Sequence, residues 1–87
     1  MNGNQVNYDM LKKYITKHFK IYKVEPKMPS VFKIYDYAEQ KEVSEWTIND
    51  YLAKIFSVDR LLVKKVMKDI AKEEIERLKS NQLHIKF

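Results

Sequence analysis

The chain lacks several residue types and patterns that particular functions require. It contains no cysteine, which excludes disulfides, thiolate zinc sites and cysteine nucleophiles and is compatible with a cytoplasmic location. Its only glycine, Gly3, cannot form a glycine-rich phosphate loop. His18 and His84 are the only histidines, and no carboxylate pattern accompanies them to complete a metal site. We therefore expect no enzyme activity, no catalytic residues, no cofactor and no bound metal.

The composition is that of a small basic globular protein. Apolar residues make up 45% of the 87 residues and charged residues 33%, a balance typical of one domain spanning residues 1–87. No apolar run approaches the ~18 residues that a membrane-spanning helix needs, so we expect no membrane partner. The net charge of +5 divides into +4 for residues 1–24, −3 for residues 25–59 and +4 for residues 60–87. This profile favours a binding module over an enzyme.

The amino-terminal segment, residues 6–24, predicts a helix. Asn7 is a suitable N-cap, and apolar side chains recur after it at helical spacing. Residues 19–24 also alternate in the manner of a strand, which leaves open that the helix ends near His18. The two prolines of residues 25–29 disfavour helix at the residues before them, so this stretch predicts a linker.

Residues 30–79 predict a helical core that begins with a second helix. Apolar residues recur at helical spacing within Ser30–Lys41, and Ser30 is a suitable N-cap. The connector that follows, Glu42–Trp46, has room for a short strand. A helix of this kind would be the first of three in the core.

Two further helices and a terminal strand are predicted after the connector. Thr47 begins the third helix, because the four residues from Thr47 fit the spacing of a capping box. Asp59 caps a fourth helix that ends near Lys79. Residues 80–87 form a carboxyl-terminal tail in which the helical pattern stops and an alternating, strand-like pattern follows.

The segment Asn49–Lys68 resembles the helix-turn-helix motif of DNA-binding regulators. Ala53 is the small residue that the crossing of the two helices needs, and Ser57 opens the turn where that family usually has glycine. Val58 is apolar, as the turn requires, and the second helix carries apolar residues at the expected spacing. The order of helix, connector, short helix, turn and basic helix extends the resemblance to winged-helix proteins.

This resemblance implies a fold and a function. The fold is mainly α, with a three-helix helix-turn-helix core, an extra amino-terminal helix and a short carboxyl-terminal strand, and the wing is missing or reduced. The function is sequence-specific binding of double-stranded DNA by a small cytoplasmic regulator of transcription, of a kind common in phages and mobile elements. Such modules usually act as homodimers. The residues implied to bind DNA are Thr47, Asn49, Arg60, Leu61, Lys64, Lys65 and Lys68.

The basic residues of this set have distinct expected roles. Residues 60–68 hold four basic groups and no acid, which suits contact with phosphates. Arg60 is the best candidate for a base contact, because the amino end of a recognition helix points into the major groove.

Two other interpretations stay open. Leu61 and Leu62 are adjacent on a helix and cannot both face inward, so the chain also fits a protein-binding module of helix-turn-helix shape, such as a small phage-type inhibitor of a host or defence protein. The aromatic residues favour a role in the core or at a dimer interface over a base-stacking surface. These aromatic residues are Tyr14, Phe19, Tyr22, Tyr35 and Tyr37.

Overall fold

The protein is mainly helical, with a small sheet between its first and second helices. The computed structural model describes the backbone of residues 3–85 and the side chains of residues 6–79. The mainly α prediction is confirmed at this level, but the order of the elements differs from the predicted one. In chain order they are α1 (Gly3–His18), β1 (Phe19–Tyr22), β2 (Lys33–Asp36), β3 (Lys41–Val43), α2 (Glu45–Phe56) and α3 (Arg60–Ile85).

The first helix begins and ends earlier in the chain than the predicted helix of residues 6–24. α1 starts at Gly3, so Asn7 lies inside the helix and does not cap it. It ends at His18, and the alternation that follows it forms β1, so the strand left open by the sequence is confirmed. Phe19 and Ile21 are buried in this strand while the residue between them is exposed, which is the pattern of a sheet with one face on the core.

The predicted second helix, Ser30–Lys41, is wrong, because this segment forms β2, the following turn and the start of β3. Its residues are β-branched or aromatic at several positions, which favours a strand when a partner such as β1 is available. Ile34 is 1% exposed and packs in the core. At the end of β2, the Asp36 carboxylate accepts hydrogen bonds from the backbone N–H groups of Ala38 and Glu39. These bonds stabilise a turn, which ends the strand at Asp36.

The sheet is an antiparallel meander in the order β1-β2-β3. Ile21 pairs with Ile34 and Ile34 pairs with Val43, so this register places the apolar residues of neighbouring strands on the same face. The predicted linker, residues 25–29, lies in the loop between β1 and β2, where Glu25 and Met28 form an isolated antiparallel bridge. The sheet precedes α2 and α3, and in the described part of the chain no strand follows α3.

The turn between α2 and α3 forms as the sequence predicts, although one cap lies elsewhere. α2 is capped by Ser44, whose hydroxyl accepts a hydrogen bond from the Trp46 backbone N–H, and Thr47 lies inside the helix, so the prediction of a cap at Thr47 is wrong. The Asp59 carboxylate accepts from the Leu61 backbone N–H at 2.8 Å, so the predicted cap of α3 is confirmed.

α3 is longer than predicted. Its backbone continues through residues 80–82 to Ile85, because this stretch contains no glycine or proline that would end a helix. The predicted terminal strand is therefore wrong for residues 83–85, and residues 86–87 lie outside the described residues. Since strands replace the predicted second helix, residues 30–79 supply only two helices, α2 and α3, and the third helix in contact with them is α1.

All elements contribute to one hydrophobic core. Leu11 of α1, Ile34 of β2, Leu52 of α2 and Met67 of α3 are each at most 1% exposed and belong to one cluster. α1 and α3 run in the same direction where they meet, because the two side-chain contacts between them have the same sequence separation of 61. Among the described residues, no helix combines the length and the apolarity that crossing a membrane would require.

Candidate nucleic-acid interface

The outer face of α3 carries a row of lysines. Val63, Val66 and Met67 are 0% exposed and face the core, so residues on the opposite side of the helix face solvent. Three exposed lysines recur there at intervals of four residues, one on each successive turn. They are Lys64, Lys68 and Lys72, which we call the lysine stripe.

The lysine stripe has no internal ion-pair partners among the residues that the structure describes. Its two ends, Lys64 and Lys72, are eight residues apart, or about 12 Å along a helix. This length is comparable to the width of the DNA major groove, about 12 Å. The purely basic surface ends one turn later at Glu76, which is exposed.

Lys65 lies beside the stripe but is held by two contacts. Its ammonium group is 3.3 Å from the Asp69 carboxylate and 5.7 Å from the centre of the Tyr8 ring on α1. The Tyr8 hydroxyl also donates a hydrogen bond to Asp69 at 2.6 Å. Asp69 therefore neutralises Lys65 in part, and Lys65 contributes less to an anion-binding surface than the stripe does.

Arg60, the predicted base-contacting residue, is paired within the protein. Its guanidinium forms an ion pair with the Asp50 carboxylate of α2 and lies 5.9 Å from the centre of the Trp46 ring. Lys54 approaches the same carboxylate at 3.2 Å. A base contact by Arg60 stays a prediction, and it requires the side chain to leave Asp50.

The remaining predicted site residues differ in exposure. Leu61 is 74% exposed at the start of α3, where it borders an open cleft of about 610 Å³ that also involves Leu62 and Asn7. Thr47 is exposed on α2. Asn49 is half-buried, and its side-chain carbonyl oxygen is buried without a hydrogen-bond partner in the described region. The structure thus brings Leu61 and the lysines onto α3's exposed surface, whereas Thr47 and Asn49 lie on α2.

Sequence reasoning missed Lys72 as a member of the candidate site. The signal was present, because Lys64, Lys68 and Lys72 are four residues apart and a helix without glycine or proline keeps them on one face. The motif resemblance ends at Lys68 and so does not reach Lys72.

Two further observations concern the site's chemistry and its relatives. In the part of the chain that the structure describes, no three His, Asp or Glu side chains are grouped so that they could hold a metal ion. Comparisons with known protein families, with curated proteins and with solved structures returned no match for this chain.

Proposed function

We propose that this chain binds double-stranded DNA through the outer face of α3, as a small regulator of transcription would. The observation that carries the proposal is the lysine stripe: three exposed lysines without ion-pair partners in the described region, spaced along one helix face. Lysines of this kind release counterions when they contact phosphates, which drives binding. The short turn before α3 supports the proposal further, since it leaves the amino end of the helix exposed at Leu61.

The contacts of the other basic residues bear on how specific the binding is. Arg60 is paired with Asp50 and Lys65 with Asp69, so two of the four basic residues in 60–68 are neutralised by acids within the fold. Phosphate contacts position a protein on DNA but carry no sequence information. Sequence preference then rests on Leu61, whose apolar side chain can contact a thymine methyl group, and on release of Arg60.

The proposal is tested by replacing the lysine stripe. The Lys64→Gln, Lys68→Gln, Lys72→Gln variant should bind a random-sequence duplex far more weakly and keep its fold, because all three side chains are exposed. In a fluorescence anisotropy titration at several salt concentrations, the slope of log affinity against log salt should fall in magnitude by about 2.7, or about 0.9 per lost phosphate contact.

A matched variant controls for net charge. Lys13→Gln, Lys17→Gln, Lys27→Gln also removes three exposed lysines, two from α1 and one from the β1–β2 loop. It should keep most of the duplex affinity, because these lysines lie on other elements than α3. Equal loss of affinity in both variants would show that only net charge matters and would contradict the assignment to α3.

A second candidate function, binding to another protein, is favoured by exposed apolar residues. Trp46 is 69% exposed and Leu61 74%, and Arg60 lies against the Trp46 ring. Tryptophan and arginine are the residues most enriched at the centres of protein interfaces. If the lysine-stripe variant binds duplex as well as the wild-type chain does, binding to a protein through these exposed side chains becomes the preferred function.

A further inference from the structure

The outer face of the sheet carries aromatic rings that the core does not use. Tyr22 and Tyr35 lie on the strands next to the buried Ile21 and Ile34, so their side chains leave the opposite face of the sheet. Tyr37 follows β2 directly and is 49% exposed. We call Tyr22, Tyr35 and Tyr37 the tyrosine face; the sequence favours a core or dimer role for all three.

The geometry of the tyrosine face leaves ring surface accessible. The centres of the Tyr35 and Tyr37 rings are 6.0 Å apart and their planes are inclined by 68°, so the edge of one ring packs against a face of the other and the remaining faces are not covered by this contact. Tyr35 is half-buried and Tyr37 is exposed. Lys20 lies directly opposite Tyr35 on the neighbouring strand. With the three tyrosines it lines a shallow cleft of about 330 Å³.

The charges around the tyrosine face are predominantly positive. Among the described strand residues, Glu42 is the acid on this face; Lys33 pairs with it at 3.4 Å, and it accepts a hydrogen bond from the Tyr22 hydroxyl at 3.3 Å. Lys20 and Lys23 have no ion-pair partner in the described part of the chain. The Lys23 ammonium lies 5.9 Å from the centre of the Tyr22 ring, so positive charge borders the aromatic surface.

We propose that the tyrosine face binds single-stranded DNA, with bases stacked on the rings and phosphates near Lys20 and Lys23. Exposed aromatic rings bordered by positive charge are the combination that binds unpaired strands without sequence preference. Duplex DNA does not fit this surface, because its bases are already stacked on one another. Stacking on rings and contact with phosphates need no 2′-hydroxyl, and the Tyr22 hydroxyl is already held by Glu42, so a DNA strand is sufficient for every contact that we propose.

This inference goes beyond the proposed binding of duplex DNA and stands independently of it. The residues that carry it lie on β1 and β2 and in the segments that directly follow them, whereas the lysine stripe lies on α3. A single DNA strand bound at the tyrosine face therefore uses none of the side chains that we propose to contact duplex DNA.

The experiment is a titration of a fluorescently labelled oligothymidine of about 12 nucleotides with the full chain. Tyr35→Leu, Tyr37→Leu should weaken binding roughly tenfold or more, because leucine keeps an apolar side chain but removes the ring. Tyr35→Phe, Tyr37→Phe should bind like the wild-type chain, because it keeps both rings. Circular dichroism of all variants checks that the sheet remains folded.

Further arms separate the alternatives. The Gln variant of the lysine stripe should keep its affinity for the oligothymidine, which distinguishes failure of this proposal from failure of the duplex proposal. Equal binding by the leucine and phenylalanine variants would overturn the role of the rings. Tighter binding of oligouridine of the same length would overturn the assignment to DNA, and no salt-dependent binding of either oligonucleotide would overturn the proposal altogether.

Discussion

At the scale of single residues, the contact between Tyr8 and Asp69 joins the first helix to the last. The Tyr8 hydroxyl donates to Asp69 at 2.6 Å, and this hydrogen bond, followed by burial, raises the pKa of Tyr8 to about 12. The same hydrogen bond and the nearby Lys65 lower the pKa of Asp69. Both shifts favour a neutral tyrosine beside an ionised carboxylate in the folded protein.

The raised pKa of Tyr8 predicts a loss of stability at alkaline pH. Between its ordinary value of 10.0 and about 12, the unfolded chain loses the Tyr8 proton before the folded chain does, so the free energy of unfolding falls as pH rises through this range. Tyr8→Phe should lower the free energy of unfolding by about 1 kcal/mol at pH values below this range, because it removes one partly exposed hydrogen bond to a charged group. The difference from wild type should shrink towards zero as pH rises above it, and urea titrations at several pH values measure it.

Asp69→Asn provides the matching control for Tyr8→Phe. The asparagine side chain keeps the size of the carboxylate but removes the charge, which is part of what holds the Tyr8 proton. In this variant the free energy of unfolding should therefore change less with pH over the same alkaline range than it does in the wild-type chain. A Tyr8→Phe difference that stays constant across the range would contradict the pairing.

At the scale of elements, the sequence predicts an element when its signal is local. Asp59 caps α3 because its own carboxylate accepts a hydrogen bond from the backbone N–H two residues later. Ser57 ends α2 as its left-handed C-cap, one residue before the apolar Val58. The segment Ser30–Lys41 was predicted wrongly because its apolar spacing fits both a helix and a strand. Pairing with β1, which is distant in sequence, decides between them.

The candidate site shows the same division between local and tertiary information. The exposure of the α3 lysines follows from helical spacing alone. The pairing of Arg60 with Asp50 and of Lys65 with Asp69 depends on how side chains compete for partners in the folded chain. Phe19 lies in the core and Tyr35 on the outer face of the sheet. Helical or strand spacing alone does not predict this difference, because strand register decides which face a residue takes.

The turn between α2 and α3 predicts that Ser57→Gly stabilises the protein. Ser57 is left-handed, with φ 53° and ψ 47°, and the Val58 N–H donates to the Ala53 carbonyl at 3.0 Å, as in a Schellman motif. Glycine has no Cβ and adopts this conformation without strain, but it loses more chain entropy on folding. We expect the strain relief to exceed the entropy cost, giving a net gain of about 0.5–1 kcal/mol in the free energy of unfolding, measured by urea titration.

Ser57→Ala is the control for this substitution. Alanine keeps the Cβ that makes the left-handed conformation costly, so its stability should not exceed that of the wild-type chain. A destabilised glycine variant would show that the Ser57 side chain contributes more to the turn than its backbone strain costs.

At the scale of the whole molecule, much of the apolar surface that a homodimer could have used lies in the chain's own core. Phe19 is 7% exposed and Ile75 8%, and Tyr14 packs against the core cluster. Exposed apolar side chains remain on both helices: Val6 at 39% and Met10 at 49% on α1, and Leu78 at 45% on α3, besides Leu61 at the candidate DNA site. A homodimer therefore stays a proposal, and these residues are the apolar side chains of α1 and α3 that it would use.

The net charge sets how such a dimer must respond to salt. Two copies of a chain with a charge of +5 repel each other, and Lys13 and Lys17 flank the same open groove as Met10 on α1. Raising the ionic strength from about 0.05 M to about 0.5 M shortens the screening length and weakens this repulsion, while it leaves apolar contacts intact. Salt should consequently strengthen dimerisation, whereas it should weaken the binding of DNA.

We therefore predict a monomer at low salt and an increasing fraction of dimer at high salt, measured by light scattering at tens of micromolar chain. Met10→Lys should remain monomeric throughout, because it removes an exposed apolar side chain and adds a charge at the proposed contact. Lys27→Gln serves as the control, since it reduces the charge of the chain at an exposed position in the β1–β2 loop. A wild-type chain that is monomeric at every salt concentration would contradict the dimer. DNA recognition would then be limited to the surface of one copy, which offers the lysine stripe and Leu61 but no second half-site.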